Sequence, residues 1–184
     1  MARIKDLVKW HDMCSKTMRH DPIILEIRVL GSKLSCIDWR AIMSIRVLLV
    51  DDEEQFVDLL SERLKTRGFE VLTALSGDEG LRVLDKIDID VAILDVMMPG
   101  RDGLSTLQEF KRTRPLTEVI MLTGNTTVET AISGMKLGAF DYLLKPVDTA
   151  VLVDKLTGAR QRKKDHEDRI RNAEVERIVK TKGY

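Results

Sequence analysis

The sequence predicts an α/β protein built on a doubly wound sheet of five parallel strands, with helices on both faces. Three observations carry this. Between residues 45 and 160, strand-like apolar runs alternate with helix-patterned stretches. The run Val91-Ala92-Ile93-Leu94 is apolar at every position, which suits a strand buried on both faces better than one with a wet side. Two of the runs end in acid: 45–50 leads into Asp51-Asp52, and 91–94 into Asp95. Open α/β sheets bind their ligands at the carboxyl ends of the strands, so these acids stand where a site is expected.

The elements follow in order. The first strand is 45–50. A helix over 54–66 places Phe56, Leu59, Leu60 and Leu64 on one face, and Gly68 suits its C-terminal stop. The second strand is 70–75, and a helix over 78–86 turns Leu81 and Leu84 inward. After the strand 91–94, Pro99-Gly100 turns the chain into a helix over 103–111, with Leu104 and Leu107 inward. The strand 118–122 precedes a helix over 126–136, whose Val128, Ala131, Ile132 and Met135 are expected to face the core. Asn125, Thr126 and Thr127 offer it N-terminal caps. The strand 140–144 puts Phe140, Tyr142 and Leu144 on one parity, and a last helix starts near Asp148.

The flanks differ from this body. Residues 1–42 hold both tryptophans (Trp10, Trp39), both cysteines (Cys14, Cys36) and two histidines (His11, His20), with weak periodicity broken at Pro22. They are expected to be a poorly structured extension, upstream sequence read in frame before a biological start at Met43; the rival is an N-terminal arm that docks on a partner. Residues 43–160 are the expected domain, and 161–184 a charged helical extension. If the last helix continues, Leu152, Leu156, Ala159, Lys163, His166, Ile170, Ala173 and Arg177 share a seam. Lys163 and His166 weaken it, so a solvated extension is expected, with the basic run 160–164 as a solvated face.

Composition excludes several classes. The 184 residues carry 30 basic and 30 acidic side chains, so net charge argues for neither nucleic acid nor a membrane surface. No apolar stretch nears the ~18 residues that span a bilayer, and the apolar part of 22–30 is interrupted by Glu26 and Arg28. A cytoplasmic protein is expected. Two cysteines without Cys-x-x-Cys spacing suggest neither a disulfide framework nor zinc.

If the two acid-ended strands are neighbours, three carboxylates converge. Two like charges about 4 Å apart repel by roughly 4 kcal/mol at an effective dielectric near 20. A proton, a cation or a metal must relieve this, and an all-oxygen set points to Mg2+ before Zn2+. Asp95 could then attack phosphorus to give an aspartyl phosphate. The blander alternatives are an N-cap role for Asp51 or Asp52 and a turn role for Asp95.

The series Asp51-Asp52, Asp95-Val96-Met97-Met98-Pro99-Gly100, Thr123-Gly124 and Lys145-Pro146 resembles the receiver domain of bacterial two-component response regulators, over about residues 44 to 160. The resemblance implies strand order 2-1-3-4-5, with Asp95 as phosphoacceptor. It implies Asp51 and Asp52 as the Mg2+-positioning pair, joined by Asp95 and the backbone carbonyl of Met97. It implies that the Thr123 hydroxyl and the Lys145 ammonium meet the phosphoryl group beside Gly124. Lys145-Pro146 resembles the family's cis peptide, and Tyr142 the aromatic that swings inward when Thr123 moves. The implied partners are a sensor histidine kinase or phosphotransfer protein and a downstream protein target, with a homodimer through the fourth helix, fifth strand and fifth helix as a further option. No direct nucleic-acid or membrane binding is expected, and no turnover chemistry beyond self-phosphorylation and self-dephosphorylation.

About 24 residues follow the domain, too few for an output domain of ordinary size, so a stand-alone receiver is expected. The alternative is a receiver fragment of a truncated DNA-binding transcription regulator. An aspartyl-phosphate hydrolase of the haloacid dehalogenase type is disfavoured, because Met97 stands where its second Asp would be. A flavodoxin-like carrier is disfavoured because Asp51-Asp52-Glu53-Glu54 would repel an anion after the first strand.

Overall fold

A computed structural model describes residues 45–124 and 127–182, and the expectations for residues 1–42, Asn125 and Thr126 lie outside them. Five strands alternate with five helices: β1 (Arg46–Val50), α1 (Glu54–Lys65), β2 (Glu70–Ala74), α2 (Gly77–Lys86), β3 (Val91–Leu94), α3 (Gly103–Thr113), β4 (Glu118–Thr123), α4 (Val128–Lys136), β5 (Asp141–Leu144) and α5 (Thr149–Lys182). The strands form one parallel sheet in the order β2-β1-β3-β4-β5. This is the doubly wound architecture expected from the alternating pattern.

Strand periodicity builds two cores, one per sheet face. Leu48, Val50, Ala92, Leu94, Val119 and Met121 point to one side, against Leu84 of α2 and Leu107 and Phe110 of α3. Val47, Leu49, Val91, Ile93, Ile120 and Leu122 point to the other, against Val57, Leu60 and Leu64 of α1 and Leu152, Leu156 and Ala159 of α5. Each fully buried valine, leucine, isoleucine, methionine or phenylalanine among them contributes about 1.5–3 kcal/mol relative to exposure. Helix starts carry local reasons. The Ser76 side chain accepts from the Glu79 N–H, Asp102 from Ser105, and Thr127 from Thr130. Gly68 ends the α1 turn at φ +90.

Four expectations about side-chain direction are corrected. On α1, Leu59 is exposed and Val57 takes the core position instead, since 57, 60 and 64 form the stripe that meets the sheet. On α4, Val128, Ile132 and Met135 are exposed, and Gly134 is the buried residue. A Cβ on Gly134 would already touch Tyr142, Leu104 and Met121. The helix turns Gly134 toward the sheet and its apolar stripe outward. Phe140 precedes β5 and packs in the second core, whereas Tyr142 packs against the first, so the two do not share a face.

The fourth correction concerns the C-terminal segment. α5 is one continuous helix of 34 residues. Lys163 is 2% exposed, not part of a solvated face. Its ammonium donates to the Ile89 carbonyl at 2.8 Å and to Asp88 at 3.0 Å, and lies 3.3 Å from Asp90. Arg160 meets Asp90 at 3.3 Å. Arg162 donates to Glu118 at 2.7 Å and stacks over Phe140 at 4.8 Å. The basic run therefore grips the N-terminal edge of β3 and β4, opposite the acid-bearing edge. Burying one cation among carboxylates and a carbonyl satisfies the rule that interior charge must be paired.

Candidate functional site

The parallel register fixes the site. Val50 pairs with Leu94, so Asp51 and Asp95 leave adjacent strands side by side. The Asp95 N–H donates to the Val50 carbonyl at 3.0 Å and the Asp51 N–H to the Ala74 carbonyl at 3.1 Å. On the other side of β3, Thr123 pairs with Leu144, so Lys145 follows at the same edge, and its N–H donates to the Thr123 carbonyl at 2.8 Å. The Lys145–Pro146 peptide is cis.

One open cleft is lined by Asp51, Asp52, Glu53, Asp95, Met97, Thr123, Gly124 and Lys145. Asp51 and Asp95 are buried and Asp52 is exposed, yet one carboxylate oxygen from each lies within 4.8 Å of the others. Asp51 Oδ1 accepts from the Glu53 N–H at 3.1 Å, and its Oδ2 is ion-paired with Lys145. Asp52 caps no helix. The residue at the N-cap of α1 is Glu53, and its side chain makes no capping bond.

Asp95 is incompletely satisfied. Its Oδ2 accepts from the Met97 N–H at 3.1 Å, while its buried Oδ1 has no hydrogen-bond partner among the described residues. The Lys145 ammonium is 3.7 Å from that oxygen, inside ion-pair range but beyond a hydrogen bond. Burial is the main reason the Asp95 carboxyl is pushed above its ordinary value; Lys145 opposes this and Asp51 adds to it.

The turn after β3 is held tightly. Gly103 begins α3 with its N–H on the Val96 carbonyl at 3.0 Å. A Cβ there would lie 2.0 Å from the Asp95 carbonyl oxygen, so only glycine fits. Thr123 is fully buried at the end of β4. A Cβ on Gly124 would meet nothing within 4 Å, which leaves open space beside Asp95 and Lys145. Met97 is 66% exposed at the cleft rim, and a thioether side chain offers no oxygen to a hard cation. Tyr142 stands on β5, half-buried against α4 and the first core, outside the cleft lining.

One neighbour of the site was not legible as such in the sequence. Phe56, expected only as a core residue, presents its ring to the Lys145 ammonium at 4.2 Å. Its position one helical step past the acidic pair was the signal available.

A buried carboxylate oxygen without a donor among the described residues, within a set of three acids, fits a hard cation. The donors are all oxygen, and the open side leaves room for water or phosphate oxygens. Asp51, Asp52 and Asp95 are the residues that could hold such an ion. A carboxylate in this setting, beside a lysine and with space over it, is chemically suited to nucleophilic attack on phosphorus.

Comparison with known proteins places the fold in a family. Residues 47–157 match the family model described as the response regulator receiver domain. The transcriptional regulatory protein CpxR of Klebsiella pneumoniae is 42% identical over 111 residues, which are 60% of this chain and 47% of that protein. The regulatory protein VanR of Enterococcus faecium is 39% identical over 124 residues, 66% of this chain and 52% of that protein. The chain thus spans about half the length of these curated relatives. Among solved structures, a response regulator receiver domain protein from Clostridium thermocellum superposes with a TM-score of 0.63 at 41% identity, covering 65% of this chain and 97% of that one.

Proposed function

Because the chain belongs to the response regulator receiver domain family, we propose that it takes a phosphoryl group onto Asp95 and uses the modified state to signal to a protein partner. The observation that carries this is Asp95 Oδ1, buried, without a hydrogen-bond donor among the described residues and 3.7 Å from Lys145 at the mouth of an open cleft. The donor is a phosphohistidine on a sensor histidine kinase or phosphotransfer protein, in the cytoplasm. Asp95 oxygen forms a bond to phosphorus as the phosphorus–nitrogen bond breaks, and the imidazole leaves with the electron pair.

Asp51, Asp52, Asp95 and the Met97 backbone carbonyl would hold Mg2+, which when bound neutralises charge developing on the phosphoryl oxygens. The chain's own groups do the rest. Lys145 supplies a point charge to a phosphoryl oxygen, freed from part of its attraction to Asp51. The Thr123 hydroxyl turns to a second oxygen, and Gly124 leaves the space for it. Tyr142, beside α4, follows Thr123 inward. The phosphoryl group carries about −1.5 to −2 charges and replaces a carboxylate that carried one, so the net gain is about one negative charge or less. Moving a two-state equilibrium from 1:99 to 99:1 takes about 5.5 kcal/mol, within reach of two or three charge-assisted hydrogen bonds plus an ion contact. Water attack on the acyl phosphate resets the state, so turnover is confined to the protein's own modification.

The surface offered to partners is apolar and exposed: Val128, Ile132 and Met135 on α4, Leu144 on β5 and Val151 on α5. A second copy or a protein target docks there. A second reading, that the chain is the receiver part of a longer transcription regulator, is favoured by its spanning about half of relatives called regulatory proteins.

The test is intact-mass analysis of the full chain with acetyl phosphate. A gain of one labile phosphoryl group with Mg2+, absent in EDTA and absent in Lys145→Ala or much slowed, is expected. No gain from acetyl phosphate or from any phosphohistidine donor would remove the proposal.

A further inference from the structure

We propose that Phe56 is a positioning residue for Lys145, its ring holding the ammonium over the cleft when Asp51 is drawn to a metal ion. This rests on the reading of Asp95 as phosphoacceptor. Among the described residues the Lys145 ammonium meets Asp51 Oδ2 in an ion pair, Asp95 Oδ1 at 3.7 Å and the Phe56 ring centroid at 4.2 Å. The first two belong to the three-acid cluster that would bind a divalent cation. Once such a cation sits on those oxygens, it draws on the same negative charge and repels the ammonium, so both attractions weaken together.

The ring is different. A hard cation takes oxygen ligands and leaves a phenyl face alone. The quadrupole of Phe56 attracts an ammonium by a term that metal binding does not remove. The lysine side chain is only 15% exposed, so the contact is partly desolvated, where such attraction is strongest. The ring is also well placed to be rigid. Phe56 belongs to the first turn of α1, whose Val57 and Leu60 are buried against the sheet. Phe56 therefore fixes where the ammonium waits, and Asp51 is free to change partners.

The competing role is ordinary packing, since Phe56 also lies against the second core. Leucine can fill that role without a π face; tyrosine keeps both. The experiment uses the full chain as wild type, Phe56→Leu and Phe56→Tyr. The first readout is the NMR signal of the Lys145 ε-methylene, assigned by its loss in Lys145→Arg. A ring over the ammonium shifts it upfield. The shift should be present in EDTA, persist in saturating Mg2+, survive in Phe56→Tyr and vanish in Phe56→Leu. The second readout is the rate of phosphoryl gain from acetyl phosphate at saturating Mg2+. It should fall about threefold in Phe56→Leu and return in Phe56→Tyr, while the Mg2+ dissociation constant changes less than about twofold. Loss of the upfield shift on adding Mg2+ to wild type would overturn the inference, as would a wild-type rate in Phe56→Leu. If wild type itself gains no phosphoryl group, the acceptor reading fails, and the NMR shifts alone decide whether the ring holds the lysine.

Discussion

Replacing Lys163 by methionine should destabilise the protein less than removing its partner Asp90, and the structure says why. Removing one member of a buried ion pair generally costs about 3–5 kcal/mol, because the other charge is left behind. The acceptors of Lys163 have other partners. The Ile89 carbonyl also accepts from the Thr117 hydroxyl at 3.1 Å. Asp90 keeps Arg160 at 3.3 Å and the Arg46 N–H at 2.9 Å. Asp88 is mostly exposed and returns to water. Methionine also fills the space of the lysine stem, so the cost of Lys163→Met falls to about 1–2 kcal/mol. Asp90→Ala leaves a nearly buried ammonium with a weakened set of acceptors and orphans the Arg46 N–H, so about 3–5 kcal/mol is expected. Urea unfolding of the full chain, followed by circular dichroism at matched pH and salt, gives both values. If Lys163→Met costs as much as Asp90→Ala, the remaining partners do not cover for the lysine and the ranking is refuted; if both lie within about 0.5 kcal/mol of wild type, the assignment of a buried, paired Lys163 is refuted.

Other expectations are simpler to check. Burial alone would push the Glu118 carboxyl up, but the hydrogen bond from Arg162 and the charge of Lys111 bring it below its ordinary 4.5. A lowered carboxyl contributes stability above its unfolded pKa and loses it as pH falls through the folded one. Glu118→Gln should therefore be less stable than wild type at pH 7 by about 1–3 kcal/mol, with the gap closing as pH drops below 4.5 in acid denaturation. Asp95 has the opposite sign: a raised carboxyl gives stability below its unfolded pKa and loses it as pH rises through the folded value. Asp95→Asn should thus be more stable than wild type at pH 7 in EDTA, by about 1 kcal/mol or less because the cleft is open to solvent; a lower unfolding free energy would contradict it. Gly103→Ala should cost roughly 3 kcal/mol or more in the same urea assay, since its Cβ would meet backbone at 2.0 Å.

The parts of the fold visible in the sequence are those set by short-range pattern. Continuous apolar runs marked strands buried on both faces, and the acids at their ends needed only the parallel register to meet. Helix orientation was harder. The stripe of Val128, Ile132 and Met135 is apolar, but periodicity does not say which side of a helix meets the sheet, and here it is the Gly134 side. The role of Lys163 was hidden for another reason. Asp88 and Asp90 are 75 and 73 residues away in sequence, so a local reading saw only a lysine in a basic run. Phe56 was hidden in the same way, because its second partner, Lys145, comes from the far end of the sheet. Strand-end chemistry is legible before the fold is known; pairings across the sheet edge are not.

The most direct test of the account is to locate the phosphoryl group. The full chain would be treated with acetyl phosphate and Mg2+, the acyl phosphate reduced with borohydride, and the product mapped by peptide mass spectrometry. The account predicts a reduced side chain at Asp95 and unmodified carboxyls at Asp51 and Asp52. Reduction at Asp51 or Asp52, with Asp95 intact, would contradict it.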